Sequence, residues 1–383
     1  LGTTDLKNIA RPVQAWGRGA DTSVAAEQAS NHSRSAQSGF PRLAIQPISA
    51  SDSREDVVEL ASALTADFDG YLGGARWLKS TVQEDPSPTA HVLDSVLRAR
   101  GDRLRLDVRL PASDGAQIWA GKYDGSLADS FDWQDEIGGE VASQTLAALL
   151  DHERGRLAGK SIDEMSAEEC SVSGLMCVEL VDWKAMSKAL EYHAAAVEKD
   201  PTLAEAYSDA IVYFICASSV GYQNLVEQYQ DRFVQWLTGA GVHINASPMI
   251  ELALGIAQFR QAGDLPALRR AIRSALRRAP FTIEVILFSG CGYAWMGEPE
   301  PAIECFRQCG QTIHFSPFGV AANAGLSFSL LQAGQDEEAI LEARRGLEVG
   351  GHARGGIIVA SNSSAANGTF PWRRLHSIGP SGR

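Results

Sequence analysis

The sequence predicts a mixed fold, a small α/β sheet domain followed by an all-α superhelix of repeated helical hairpins. Two observations carry that expectation. Leu104, Leu106, Val108 and Leu110 alternate with Arg103, Arg105, Asp107 and Arg109, a period of two that sets one face of a strand on a core and the other in water. In the second half the repeat is longer: Leu268, Ala302 and Ala339 occupy equivalent positions 34 and 37 residues apart, the span of one two-helix unit.

In chain order, Gly17 to Gly39 holds Ala, Ser, Gly, Gln and Asn with scarcely a large apolar side chain, so 17–40 reads as a flexible linker. The run Arg42 to Ile48 has the length of a strand and ends at Pro47 and a Ser-rich turn. Arg54 to Leu72 reads as a helix. His91 to Ala99 leads through Gly101-Asp102 into the alternating strand, and Ser113-Asp114-Gly115 leads out into Gln117 to Tyr123. Antiparallel strands joined by tight turns follow from that pattern. Asp129 is placed to cap the next helix, whose Ile137, Val141, Ala148 and Leu149 recur on one face and would cover the sheet. The α/β unit spans 41–155.

In the second half, Ala189, His193, Ala196 and Pro201 share the offsets +4, +7 and +12 with Leu268, Ile272, Ala275 and Pro280. Ala302, Phe306 and Cys309 repeat the first two offsets, as do Ala339, Ala343 and Gly346. Gly263, Gly297 and Gly334 each stand five residues before the first key position, where a tight turn would join two helices. The period is that of tetratricopeptide repeats. Four repeats are expected within 165–350, beginning near Ser173, Leu252, Ile286 and Asn323. The 79 residues from Ala189 to Leu268 predict an extra or degenerate helical hairpin in Gly221 to Ala246, packed through Phe233, Trp236 and Leu237. Stacked repeats of this kind bury a continuous core and present a concave side to a protein or peptide partner. Past Gly350 the pattern gives way to Gly, Ser, Asn and Arg, so 351–383 is expected to be a disordered tail.

Composition narrows the class. The chain has 383 residues, 45% of them hydrophobic and 21% charged, with a formal net charge of -13. Such a balance disfavours a nucleic-acid partner, because a phosphate backbone would be repelled. No run reaches the roughly eighteen apolar residues of a membrane span, and the first residues lack a signal-peptide pattern. A cytoplasmic location is the expectation. Cys170, Cys177, Cys216, Cys291, Cys305 and Cys309 show no Cys-x-x-Cys spacing and read as reduced, buried thiols. Cys305, Cys309 and nearby His314 come nearest to a ligand set, but a fourth member is missing.

Arg269, Arg270, Arg273 and Arg277, with Arg278 beside them, form the strongest positive stripe in this acidic chain. They are the candidate interaction residues, suited to an acidic peptide or a phosphate, and the competing reading is a solvated helix face. Gly290-x-Gly292 has the outline of a dinucleotide loop but lacks the preceding strand and the spacing. Trp119 and Trp133 read as packing residues. The carboxylate pairs Asp135-Glu136 and Glu168-Glu169 are adjacent in sequence and would splay apart on a helix. No catalytic, cofactor-binding or metal-binding residue is expected.

Two segments resemble known families. Leu6-Lys7-Asn8-Ile9-Ala10-Arg11-Pro12-Val13, followed by Trp16, resembles the closing strand of the catalytic domain of bacterial class III adenylate and guanylate cyclases, with 1–16 as its remnant. Gly101 to Leu106, Asp114-Gly115-Ala116-Gln117-Ile118-Trp119-Ala120, Tyr123-Asp124, Asp129 and Gln134-Asp135-Glu136-Ile137 resemble the TolB-like domain found behind such cyclases. Together these resemblances imply the non-catalytic C-terminal region of a cyclase-like protein, acting by protein binding in cyclic nucleotide signalling. ATP, divalent metal and any homodimer contact would belong to the missing catalytic domain, whose metal-binding aspartates lie upstream of the closing strand. The chain departs from the TolB-like pattern between Trp77 and Ala90, where Glu84-Asp85-Pro86-Ser87-Pro88 replaces a helix. The sheet is therefore expected to be open on one face. A regulatory module of a transcription regulator and a degenerate gene remnant are the alternatives.

Overall fold

The alternation of Leu104 to Leu110 becomes the middle strand of an antiparallel meander whose inner face is sealed and whose outer face meets water. The computed structural model describes residues 3–4, 13–14, 39–84, 90–112, 115–177, 183–312 and 317–350. Leu1–Gln37 forms a unit of its own, in which β1 (Thr3–Thr4) pairs antiparallel with β2 (Val13–Gln14). The closing strand expected over Leu6 to Val13 falls largely outside the described residues, as do the linker up to residue 38 and the tail 351–383.

In the second unit the sheet runs β5 (Lys79–Val82), β3 (Arg42–Ile45), β6 (His91–Arg100), β7 (Arg103–Pro111), β8 (Gln117–Ser126), with β4 (Ser49–Ala50) also on β6. β3 is parallel to both of its neighbours, and β6 to β8 form the meander. Leu97 faces Leu106 and Leu106 faces Tyr123, which puts the buried leucines of β6 and β7 on one side. The first strand ends at Ile45, just ahead of the Pro47 that was expected to end the run. Pro47 has no N–H for the ladder, so the chain breaks there and resumes pairing at Ser49.

Two helices cover the inner face. α1 (Glu55–Gly73) buries Val57, Leu60, Leu64, Phe68 and Leu72. α2 (Ser130–Leu157) buries Ile137, Val141 and Leu149 as expected, while Ala148 is half-buried. They pack on each other where Gly138 approaches the Tyr71 ring and Gln134 donates to Asp67 at 2.6 Å. Asp129 occupies the cap position of α2 but its side chain makes no cap bond. Its backbone, at φ -110 and ψ 28, is not the extended cap conformation that brings a carboxylate under the first-turn N–H groups.

Only residues 83–90 join β5 to β6, too few for the dozen or more that a helical crossover needs. The outer face carries cross-strand ion pairs instead, Arg98 to Asp107 at 3.3 Å and Arg105 to Asp124 at 2.7 Å. Both involve an exposed arginine, so they add solubility more than stability.

After a short 3-10 turn at Ile162–Glu164, the described residues form five helical hairpins. They are α3 (Ala167–Met176) with α4 (Trp183–Lys199), α5 (Ala204–Val220) with α6 (Gln223–Val242), and α7 (Pro248–Ala262) with α8 (Leu265–Arg278). α9 (Ile283–Met296) pairs with α10 (Pro299–Thr312), and α11 (Pro317–Gln332) with α12 (Asp336–Gly350). Gly221, Gly263, Gly297 and Gly334 turn between the two helices of four hairpins, with φ of 84, 70, 73 and 75 degrees. Glycine adopts that left-handed conformation without a Cβ clash.

The four expected repeats and the additional hairpin make five hairpins, but the additional one pairs α5 with α6, and Gly221 to Ala246 holds the single long helix α6 rather than a hairpin. This repeat escapes the offset pattern because Val226, Gln230 and Phe233 stand where the other repeats carry mostly small residues after their turn glycine. The first helices α3, α5, α7, α9 and α11 stack on one another in succession. No helix among the described residues is long and apolar enough to cross a membrane.

Candidate functional site

Arg76 carries the sheet layer's buried ionic contact with the repeats. α1 ends at Gly73, and the short link to β5 holds Arg76 against the side on which the first helices stack. Its Nη1 donates to Ser208 Oγ at 2.8 Å and its Nη2 to Asp209 Oδ1 at 2.5 Å, both on α5. Glu284 of α9 lies 3.8 Å from Nη2, and Ser171 of α3 donates to the other Asp209 oxygen at 3.2 Å. Two helices from different hairpins thus meet the guanidinium directly, and α3 reaches it through the Asp209 carboxylate. Burial works against the Arg76 cation, but Asp209 and Glu284 outweigh it and hold its pKa above the ordinary value. Burial pushes the Glu284 carboxyl up, with Arg76 opposing.

Apolar contacts reinforce the junction. A Cβ on Gly74 would lie 2.4 Å from the Phe281 carbonyl oxygen, so only glycine permits this approach. Tyr71 meets the Phe281 ring edge-on at 5.7 Å. Beside Arg76 opens a cleft of about 380 Å3 lined by Lys79, Ser80, Glu205, Ser247 and Met249 among others.

Next to this network sits His193 of α4, fully buried, with neither ring nitrogen hydrogen-bonded. Desolvation lowers its pKa to about 4, partly countered by Asp209. The ring packs against Tyr213 at 4.5 Å and fills the space above Gly174, where a Cβ would come within 2.4 Å of it. His193 therefore folds as a neutral ring.

The predicted arginine stripe on α8 divides in two. Arg269 pairs with Glu298, and Arg278 bonds Glu251 at 3.2 Å and the Asn245 carbonyl at 2.9 Å. Arg270, Arg273 and Arg277 are exposed and form no ion pair among the described residues. They lie on a second helix, while Arg76 meets first helices.

The other motifs fall into the core. Gly290 and Gly292 lie within α9, where Phe306 and Ile272 approach too closely for a side chain. Trp133 Nε1 donates to the Asp124 carbonyl at 3.2 Å and its ring lies over Gly125. Asp135 and Glu136 are exposed, whereas Glu169 is buried against Arg156 and Lys160. Burial raises the Cys305 thiol to about 11 and Cys309 well above its usual value, which disfavours the thiolates a metal would need. His314 lies outside the described residues.

The Arg76 junction was missed from sequence, although it left a signal. Asp209 and Glu284 are acids set in apolar helical runs, Ala210-Ile211-Val212 and Val285-Ile286-Leu287, where a charge has no place unless something meets it.

No family model matches the chain, and no curated protein matches it. Among solved structures, it is similar to a crystal structure of the MamA protein at 17% identity, with a TM-score of 0.27, over 52% of this chain and 95% of that one. A mutant form of MamA is similar at 15% identity and a TM-score of 0.27, over 48% of this chain and 96% of the other.

Proposed function

We propose that this chain is a non-catalytic protein-interaction region whose helical hairpins receive an acidic protein segment on the exposed arginines of α8. The supporting observation is that Arg270, Arg273 and Arg277 stay exposed and unpaired among the described residues of a chain with formal net charge -13. A carboxylate can replace the water on an exposed guanidinium with two parallel charge-assisted hydrogen bonds, and several such pairs together give salt-sensitive binding. The first-helix side, where Arg76 is already bound, is the less available one.

Anisotropy of a labelled Glu-rich peptide tests this. The full chain should bind it with an affinity that falls as salt rises, and the triple change Arg270→Glu, Arg273→Glu, Arg277→Glu should weaken binding by about tenfold or more. Equal binding by both proteins would remove the stripe from the proposal.

By resemblance at Leu6 to Val13 and through the TolB-like motifs, the region would regulate an adenylate cyclase-like protein in the cytoplasm, in cyclic nucleotide signalling. ATP and divalent metal would be used only by a catalytic domain outside this chain. The purified chain with ATP and Mg2+ should make no cyclic AMP, and any metal-dependent product would overturn the non-catalytic reading.

A further inference from the structure

We propose that His91, His152 and Glu153 form a binding site for a divalent transition metal, with Zn2+ as the best match. His91 opens β6, and the other two residues lie near the end of α2. One ligand atom from each side chain falls within 4.8 Å of the others. Two imidazoles and a carboxylate suit a borderline-soft ion such as Zn2+ and leave a position open to water.

The surroundings fit a metal site in three ways. His91 is 4% exposed and Glu153 1% exposed, so two of the ligands stand in a low-dielectric wall, while half-buried His152 provides the way in. The two imidazoles are already edge to face with centroids 5.2 Å apart. Arg156 donates to Glu153 Oε2 through Nε at 2.9 Å and Nη2 at 2.7 Å, which fixes the carboxylate and leaves its Oε1 for an ion. Hydrogen-bonded carboxylates of this kind are the usual second shell of metal centres. Arg156 also donates to Glu169, which Lys160 meets at 2.9 Å, so the carboxylate is held by a wider network.

A tetrahedral ion with bonds of about 2.1 Å holds its ligands roughly 3.4 Å apart. Closing from the present spacing takes about an ångström of side-chain rotation, which His152 on the helix surface can supply. The bound ion would tie the first residue of β6 to the last turns of α2, a staple across the sheet and its covering helix.

The full chain, stripped with chelator, should bind one equivalent of Zn2+ by calorimetry and melt at a higher temperature with it. Co2+ in its place should give the intense visible absorption of four- or five-coordinate cobalt. His152→Ala, at a half-buried position that the fold tolerates, should weaken binding by about a hundredfold and abolish the melting shift. Glu153→Gln should do the same while circular dichroism reports an intact fold. Absence of binding to the unaltered chain, or equal binding after His152→Ala, would overturn the proposal, the latter by assigning the metal to other ligands such as the cysteines.

Discussion

Replacing Asp209 with Ala should destabilise the folded unit by about 3–5 kcal/mol, the cost of leaving a buried charge without its partner. Arg76 would keep the Ser208 hydroxyl at 2.8 Å and face Glu284 at 3.8 Å, too far for a good hydrogen bond. Ser171 would lose its acceptor as well. Both ends of the Arg76–Asp209 pair are well buried, with side-chain exposures of 12% and 4%, so solvent cannot step in cheaply. Urea denaturation reads the change directly.

Removing the whole charge cluster, as Arg76→Met with Asp209→Leu and Glu284→Gln, should restore much of the loss, because apolar replacement of buried ionic groups is often neutral once no charge is left unpaired. A single-site loss below about 1 kcal/mol would mean that the junction is held mainly by packing, of Tyr71 and Gly74 on Phe281 and of α2 on α3 and α10.

Acid should weaken the fold through His193. Its pKa falls from 6.5 to about 4 in the folded chain because burial penalises the cation. The unfolded chain then binds more protons between these values, so stability is full above pH 6.5 and is lost as pH falls toward 4. The depression corresponds to about 3 kcal/mol. Glu284, raised by burial, acts in the opposite direction, and Glu169, lowered despite its burial by Lys160 and Arg156, adds to the loss only below its ordinary range.

His193→Met isolates the contribution, since it keeps an apolar side chain against Gly174 and Tyr213 and removes the titration. The midpoint in urea should shift far less between pH 7 and pH 4.5 in that variant than in the unaltered chain. Equal shifts in both would assign the acid sensitivity to carboxylates.

Much of the fold was legible because periodicity is local. The leucines of β7 declare a one-sided strand whatever surrounds them, and Gly263, Gly297 and Gly334 mark the turns of hairpins because only glycine adopts their φ easily. The α5–α6 hairpin was not legible as such. Its turn glycine, Gly221, has the same geometry, but α6 packs through Leu225, Tyr229, Phe233 and Trp236, larger than the small residues that set the repeat pattern elsewhere. The end of the first strand was legible at Pro47, which lacks a ladder N–H, whereas the renewed pairing of Ser49 on β6 and the unused carboxylate of Asp129 were decided by backbone geometry that composition does not encode.

For the surfaces the division is sharper. The arginines of α8 were visible as a stripe, but whether each faced a carboxylate depended on Glu251 and Glu298, brought in from 27 and 29 residues away. Arg76 meets Asp209 across 133 residues of chain, and His91 meets His152 across a sheet and a helix. The sequence by itself determined the two periodicities, and with them the sheet meander and the hairpin stack, since these follow from neighbours within a turn or a strand. Only the tertiary structure decided which charges are paired, which histidines are buried and where sheet and repeats join, because those depend on groups that meet in space after the chain has folded.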